Sequence, residues 1–304
     1  MSQPRYREPL PLGGVNGIPY SKGLMARALM AAGSPVERAY VLARRVETEL
    51  ADTGEEGVAL ERLRELAIET FGTDEGQRLM QRLERLRELA ELDLPIILLV
   101  GGATGTGKST VATEAAHRLG ITRVTSTDFV RQTMRAFFSQ EFMPSIHYSS
   151  FEAGQGLRAP EEAEDAVVSG FLEQCRNVAV GVEASLDRAL EEGWSMVLEG
   201  VHLVPGIVPS RPIENALVVQ CVLAIEDERE HAGHFFVRDV SSEGVRPVAK
   251  YLDRLDDIRR IQALLVTRAN RAGVPVIDCG NVDQAARQVL ELVLAALDRV
   301  VEKV

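Results

Sequence analysis

The sequence predicts an α/β fold, a parallel sheet flanked by helices, preceded by a small and mostly helical region. Up to about residue 92 the apolar spacing is helical throughout; beyond Asp93-Leu94-Pro95, apolar runs of strand length alternate with helical patterns; and a glycine-rich loop stands directly between the first such run and the next helix. Alternation of this kind specifies parallel strands joined by crossover helices.

In chain order, four helices are expected near 21–32, 35–52, 58–70 and 75–91, with no strand except at the extreme N-terminus. Gly33 stops the first, and Ser34-Pro35-Val36-Glu37 reads as a capping box with proline at the first helical position. Asp74-Glu75-Gly76-Gln77 repeats that signature, and Leu79, Leu83, Leu86 and Ala90 follow at helical steps as one apolar stripe on a charged helix. Residues 96–100 then form a solid apolar run, as a strand buried on both faces requires. Further strands are expected at 123–126, 196–199, 216–225 and 274–279, and helices at 109–119, 128–138, 160–192, 247–271 and 283–301. The chain therefore divides into a helical domain over 1–92 and an α/β domain over 93–304.

Among 304 residues, 45 are acidic and 34 basic, a net charge of -11 with 45% hydrophobic residues. That is the balance of a packed protein, and it excludes disordered, collagen-like and disulfide-scaffold chains. The negative excess repels polyanions and anionic membranes unless basic groups are gathered locally. Cys175, Cys221 and Cys279 make no CxxC, so reduced, buried thiols in a cytoplasmic protein are expected. The N-terminus lacks the apolar core of a signal peptide, and the longest apolar run, 216–225, is about half a membrane span, so neither export nor anchoring is expected.

The glycine-rich loop, Gly102-Ala103-Thr104-Gly105-Thr106-Gly107-Lys108-Ser109, fits GxxxxGK[ST] in full and sits between a strand and a helix, as the motif demands. Its glycines let backbone N–H groups curl around phosphates, and the following helix turns its positive end toward them. Gly102, Thr104, Gly105, Thr106, Gly107, Lys108, Ser109 and Thr110 are thus the expected nucleotide-binding residues, with the Ser109 hydroxyl on Mg²⁺. Nucleotide binding alone does not fix the reaction.

On the acceptor side, Asp128, Arg131 and Arg135 follow the second strand at steps of three and four, on one face of the next helix. Asp128 suits the proton of an acceptor hydroxyl, and the arginines suit an anionic acceptor. Glu199 closes an apolar strand where a Walker-B acid would hold Mg²⁺ through water, and His202 just beyond it reads as a structural hydrogen-bonder. The polar stretch 226–246 is expected to be a mobile lid bringing Arg238 onto the transferring group, while His231 and His234 lack a third ligand for a metal. Lys108, Asp128, Arg131, Glu199 and Arg238 are the expected catalytic set. Tyr251, Arg254, Arg259 and Gln262 lie along one expected long helix, as charged surface or substrate contacts.

Together, GGATGTGKST at 101–110, STDFVRQTMR at 126–135, MVLEGVHLVPG at 196–206 and IRRIQ at 258–262 make the chain similar to the 2-phosphoglycerate kinase family. Residues 18–50, with their Pro-Tyr-Ser-Lys opening, resemble an ATP-cone, although the glycine-rich stretch 12–17 stands where cones usually carry a basic turn. The resemblance covers nearly the whole chain. It implies a P-loop kinase fold behind an ATP-cone-like domain, and phosphoryl transfer from ATP to the 3-hydroxyl of 2-phosphoglycerate, giving 2,3-bisphosphoglycerate. It also implies that Asp128 activates the acceptor and Arg131 reads its phosphate or carboxylate. Two other readings stay open: a kinase of nucleic-acid 5′-hydroxyl ends, which the net charge disfavours, and a non-catalytic ATP-sensing regulator. The expected partner is a small acidic substrate, not nucleic acid or membrane, and homo-oligomerisation is left open.

Overall fold

The computed structural model describes residues 12, 19–91, 94–209, 213, 215–241 and 248–301, with 89–91, 237–241 and 298–301 described by backbone alone. The chain forms two compact units, one of Met1–Asp93 with His117–Gly120 and Leu297–Val304, the other of Leu94–Ala116 and Ile121–Ala296. The strand expected at the extreme N-terminus and the glycine-rich stretch 13–17 lie outside the described residues.

The first unit holds α1 (Lys22–Ala31), α2 (Val36–Thr53), α3 (Leu60–Phe71) and α4 (Thr73–Glu91). Met25, Leu29, Leu42, Val46, Leu63, Leu66, Met80 and Leu83 point inward from all four helices and form one core. Each fully buried side chain of this kind contributes about 1.5–3 kcal/mol of apolar burial. Ser21 caps α1 by accepting from the Leu24 N–H, and Tyr20 donates to the Ala43 carbonyl (2.8 Å), tying the chain entry to α2. Arg62 forks onto Glu49 at the surface (2.6 and 2.8 Å), and such exposed pairs add little. Two expected capping boxes are corrected here. Pro35, not Ser34, is the cap of α2, and the Ser34 hydroxyl turns to the Pro35 carbonyl. In α4 the helix already begins at Thr73, so Asp74 and Glu75 lie in the first turn and act on the helix dipole.

The second unit is built on β1 (Ile96–Gly102), β2 (Val124–Ser126), β3 (Met196–Gly200), β4 (Leu217–Ala224) and β5 (Val276–Asp278), all parallel in the order β2-β3-β1-β4-β5. The central β1 is buried along its whole length, which is why it reads as an unbroken apolar run. The helices between the strands are α5 (Lys108–Arg118), α6 (Thr127–Phe137), α7 (Ala166–Glu191), α8 (Glu228–Ser241), α9 (Val248–Leu252) and α10 (Leu255–Ala272), and α11 (Val282–Val301) follows β5. Val130 and Met134 of α6 and Val178 and Val182 of α7 pack with Ile97, Leu99, Met196 and Leu198 in one cluster. Phe235 of α8 and Ile258, Ile261 and Leu265 of α10 pack with Ala103 and Val222 in another.

Three expected spans change. Residues 160–192 do not form one helix: Pro160–Glu162 is a 3₁₀ turn, and α7 starts only after Asp165, whose carboxylate accepts from Val167 and Val168 N–H (3.0 and 3.1 Å). The span 247–271 breaks between α9 and α10, where Arg254 leaves helical geometry and Asp256 and Asp257 open the second helix. Residues 228–241 of the expected mobile lid are instead the helix α8, begun by Asp227 accepting from Arg229 and Glu230 N–H (2.7 and 2.9 Å); 242–247 lie outside the described residues.

Candidate active site

Strand register brings the motifs together. Val100 pairs with Glu199 across β1–β3, and Glu199 pairs with Ser126 across β3–β2, so the loop after β1, the end of β3 and the start of α6 share the carboxyl edge of the sheet. Ligands of open parallel sheets bind at that edge, where crossovers diverge.

The phosphate loop fills the gap from Gly102 to Lys108, the first residue of α5. Thr106 is buried and donates its hydroxyl to the Ala103 carbonyl (2.9 Å), and Lys108 Nζ reaches the same oxygen (3.2 Å). Ser109 Oγ donates to Glu199 Oε1 (3.0 Å). Glu199 is only 7% exposed, and its Oε2 is buried without a hydrogen-bond partner among the described residues. Leaving a carboxylate oxygen buried and unpaired is costly unless a cation or donor meets it.

On the acceptor side, Ser126 caps α6 through the Phe129 N–H (3.0 Å), which puts Asp128 in the first turn. Arg131 is buried at 6% exposure while Asp128 remains open. Arg131 Nε and Nη2 both donate to Asp128 Oδ1 (3.0 and 2.8 Å), and Nη1 donates to the Ile146 and Tyr148 carbonyls (2.7 and 3.0 Å). Partial enclosure alone would raise the Asp128 carboxyl, but the Arg131 guanidinium beside it holds it below the ordinary aspartate range.

Behind this pair runs a second polar chain. Gln174 of α7 donates from Nε2 to the Ser145 and Tyr148 carbonyls (2.6 and 3.0 Å), so it and Arg131 hold the same loop. Its Oε1 faces His202 Nε2 at 3.0 Å, and His202 Nδ1 faces Thr127 Oγ1 at 2.8 Å. An amide oxygen only accepts, so Nε2 carries the proton and Nδ1 accepts from the Thr127 hydroxyl. Burial pushes the His202 imidazole down to about 3, with Arg131 adding to the effect, and it stays neutral. Thr127 crosses so near to β3 that a Cβ on Gly200 would lie 1.8 Å from its hydroxyl oxygen, which fixes glycine there.

Curated relatives match this chain over most of its length. A protein of Methanopyrus kandleri named 2-phosphoglycerate kinase is 36% identical over 280 residues, 92% of this chain and 85% of that protein. Proteins of the same name from Methanothermobacter thermautotrophicus and Thermococcus kodakarensis are 38% and 36% identical, over 87% and 92% of this chain and 86% and 94% of theirs. The chain belongs to the 2-phosphoglycerate kinase family. It is a kinase with a parallel five-stranded sheet flanked by helices. No protein-family model matches the chain.

For a member of the 2-phosphoglycerate kinase family, the placement of the remaining expected residues is informative. Lys108, Ser109, Glu199, Asp128 and Arg131 all belong to the second unit and gather at one sheet edge. Thr110 sits exposed in the first turn of α5. Arg135 is exposed and bonds Gln132 instead of joining the Asp128 pair. Arg238 lies on α8, its side chain outside the described residues. His231 and His234 bond the Thr104 and Gly105 carbonyls of the phosphate loop (2.8 and 3.0 Å), and among the described residues no group of three or more His, Cys, Asp or Glu is placed to hold a metal. Gln262 is structural: its amide pairs with both backbone groups of Ile225. Tyr251 stacks on Phe235, and Arg259 donates to the Ile225 and Glu226 carbonyls. Sequence reasoning missed Gln174 entirely, since a polar residue within a long helix carries no signal of the loop it holds.

Proposed function

We propose that this chain transfers the γ-phosphoryl group of ATP, with Mg²⁺, to the hydroxyl of 2-phosphoglycerate, giving 2,3-bisphosphoglycerate and ADP. The observation that carries this reading is Glu199, a buried carboxylate bonded by the phosphate-loop serine and left with one oxygen unpaired among the described residues. The acceptor follows from the name that relatives at 36–38% identity bear. Mg²⁺ fits the donor set, the Ser109 hydroxyl beside the Glu199 carboxylate, because hard cations take oxygen ligands and keep several waters. Ser109 would hold it directly and Glu199 through water; when bound, the ion supplies charge neutralisation on the phosphate oxygens.

The chain's own groups would divide the remaining work. Backbone N–H groups over Gly102, Thr104, Gly105, Thr106 and Gly107, with the start of α5 at Lys108, Ser109 and Thr110, cradle the phosphates, and the Lys108 ammonium meets the transferring charge. Arg131 fixes Asp128 Oδ1, while no hydrogen bond among the described residues reaches Oδ2. The acceptor oxygen bonds to the γ-phosphorus as its bond to the β,γ-bridging oxygen breaks, the electron pair leaving on ADP and the hydroxyl proton passing to Asp128 Oδ2. A carboxylate of lowered basicity suits a loose transition state, in which the hydroxyl proton leaves late. Of the five guanidinium hydrogens of Arg131, one on Nη2 remains for the acceptor's anionic group. Arg238 is the proposed cation of α8 that meets the transferring group.

We further propose that residues 1–92 form an ATP-cone-like domain and 93–304 the kinase domain; the separate core of α1–α4 supports this. Free, buried Cys175, Cys221 and Cys279 support a reducing, cytoplasmic setting, and no described helix is long and apolar enough to cross a membrane. The test is turnover of 2-phosphoglycerate with ATP and Mg²⁺, followed by ³¹P resonance of the product. Formation of a bisphosphorylated glycerate supports the proposal; a protein that binds ATP but leaves 2-phosphoglycerate unchanged overturns it.

A further inference from the structure

We infer that His231 and His234 of α8 are positioning residues for the nucleotide, holding two successive peptide planes of the phosphate loop in their anion-binding orientation. The inference rests on the proposal that this loop binds ATP. His231 Nε2 lies 2.8 Å from the Thr104 carbonyl oxygen, and His234 Nδ1 lies 3.0 Å from that of Gly105. A carbonyl only accepts, so each ring is an N–H donor at that atom. The two histidines stand three residues apart, on one face of α8, and their targets are consecutive residues more than a hundred positions away in sequence.

The chemistry follows from the trans peptide, whose C=O and N–H point in opposite directions. With both carbonyls drawn toward α8, the Gly105 N–H faces away from it, the side on which a phosphate would be cradled, while the Thr106 N–H is turned onto the Ala103 carbonyl (3.4 Å) and closes the loop. Released, either plane could turn its carbonyl dipole toward the phosphates and repel them. The clamp also explains a glycine that the motif leaves free. Gly105 occupies one of the four variable positions between Gly102 and Gly107, yet its φ is +88°, and a Cβ there would lie 2.5 Å from the Phe235 ring and 3.0 Å from His231 Nε2. Phe235 is in turn sandwiched, stacking on His231 (5.5 Å) and on Tyr251 (5.0 Å), so α8 is seated against the loop by aromatic packing as well as by donors. His231 Nδ1 is buried with no hydrogen-bond partner among the described residues, so Nε2 carries the ring's one directed contact, to Thr104.

Calorimetric titration of the full-length protein with ATP analogue and ADP, together with steady-state kinetics, tests the inference. His231→Leu and His234→Leu should each raise nucleotide Kd and KM about tenfold, and the double variant about a hundredfold, with the KM of the acceptor unchanged. His231→Gln and His234→Asn put an amide N–H where Nε2 and Nδ1 now stand and should keep most of the affinity. His231→Asn, a milder change whose amide falls short of Thr104, should lose affinity like leucine, and serves if the leucine variants do not fold. A general loss of folded protein would lower kcat and leave nucleotide KM in place. Leucine variants that bind nucleotide as tightly as the unsubstituted protein, or Gln and Asn variants as weak as leucine, would overturn the inference. No nucleotide binding by the unsubstituted protein would overturn both it and the ATP reading, whereas binding without turnover of 2-phosphoglycerate would overturn the acceptor alone.

Discussion

Arg131 donates twice to Asp128 Oδ1 and twice to loop carbonyls, so an Asp128→Asn substitution leaves an oxygen for Arg131 to hold while removing the proton acceptor. The expected result is a kcat lower by about 10²-fold, the low end for a lost general base, with nucleotide Kd unchanged. Steady-state kinetics beside a nucleotide titration would check it, and an unchanged kcat would remove Asp128 from the mechanism. Lys108→Ala acts on the other partner and should weaken nucleotide binding as well as transfer. Gly200 makes a purely structural prediction. Its φ is +153° and the Thr127 hydroxyl lies where a Cβ would be, so Gly200→Ala should cost about 1–3 kcal/mol, read from urea midpoints at constant slope.

At the scale of elements, the polar chain Thr127–His202–Gln174 links α6, the end of β3 and α7 beneath the site. Its histidine is neutral when folded, near 3, against about 6.5 when unfolded, so between those pH values the native state binds fewer protons than the unfolded state. The stability this provides is complete above about pH 6.5 and falls by about 1.4 kcal/mol per unit as the solution is acidified. His231 is lowered by burial in the same direction, so the contribution of His202 is the difference in slope between the unsubstituted chain and His202→Gln, measured by urea unfolding at pH 7 and 5.5. Equal slopes would mean that His202 is already protonated in the fold.

The same elements show how far sequence reaches. β1, the phosphate loop and Glu199 were legible because a strand buried on both faces and a glycine-rich turn are local in the chain. Asp128 and Arg131 were legible because a three-residue step is a helix face. The helix α8 was missed, although Asp227 and Glu230 carry the spacing of a helix start, because Glu228–Ser241 is polar enough to resemble a loop. The break before Leu255 was marked by Asp256 and Asp257, acids that favour a helix N-terminus, but their signal was hidden within a continuous helical pattern. What bound His231 to Thr104 or Gln174 to Tyr148 could not be read at all, because such pairs exist only once the sheet order is set.

Over the whole molecule, a net charge of -11 must coexist with two anionic ligands, a nucleotide and a phosphorylated acid under the proposed reaction. The two fields differ in range. Repulsion from the overall charge acts across tens of ångströms, whereas Lys108 and Arg131 act within contact distance and, for Arg131, from a buried position. Raising ionic strength from about 0.01 to 0.15 M shortens the screening length from about 30 to 8 Å, which removes most of the first field and little of the second. Kinetic efficiency toward 2-phosphoglycerate should therefore rise about twofold or more over that interval at fixed free Mg²⁺, the opposite of a protein that steers acids with a basic surface. A fall in kcat/KM would show that positive potential extends well beyond the site, and would shift the weight of recognition from Arg131 to exposed cations along its rim.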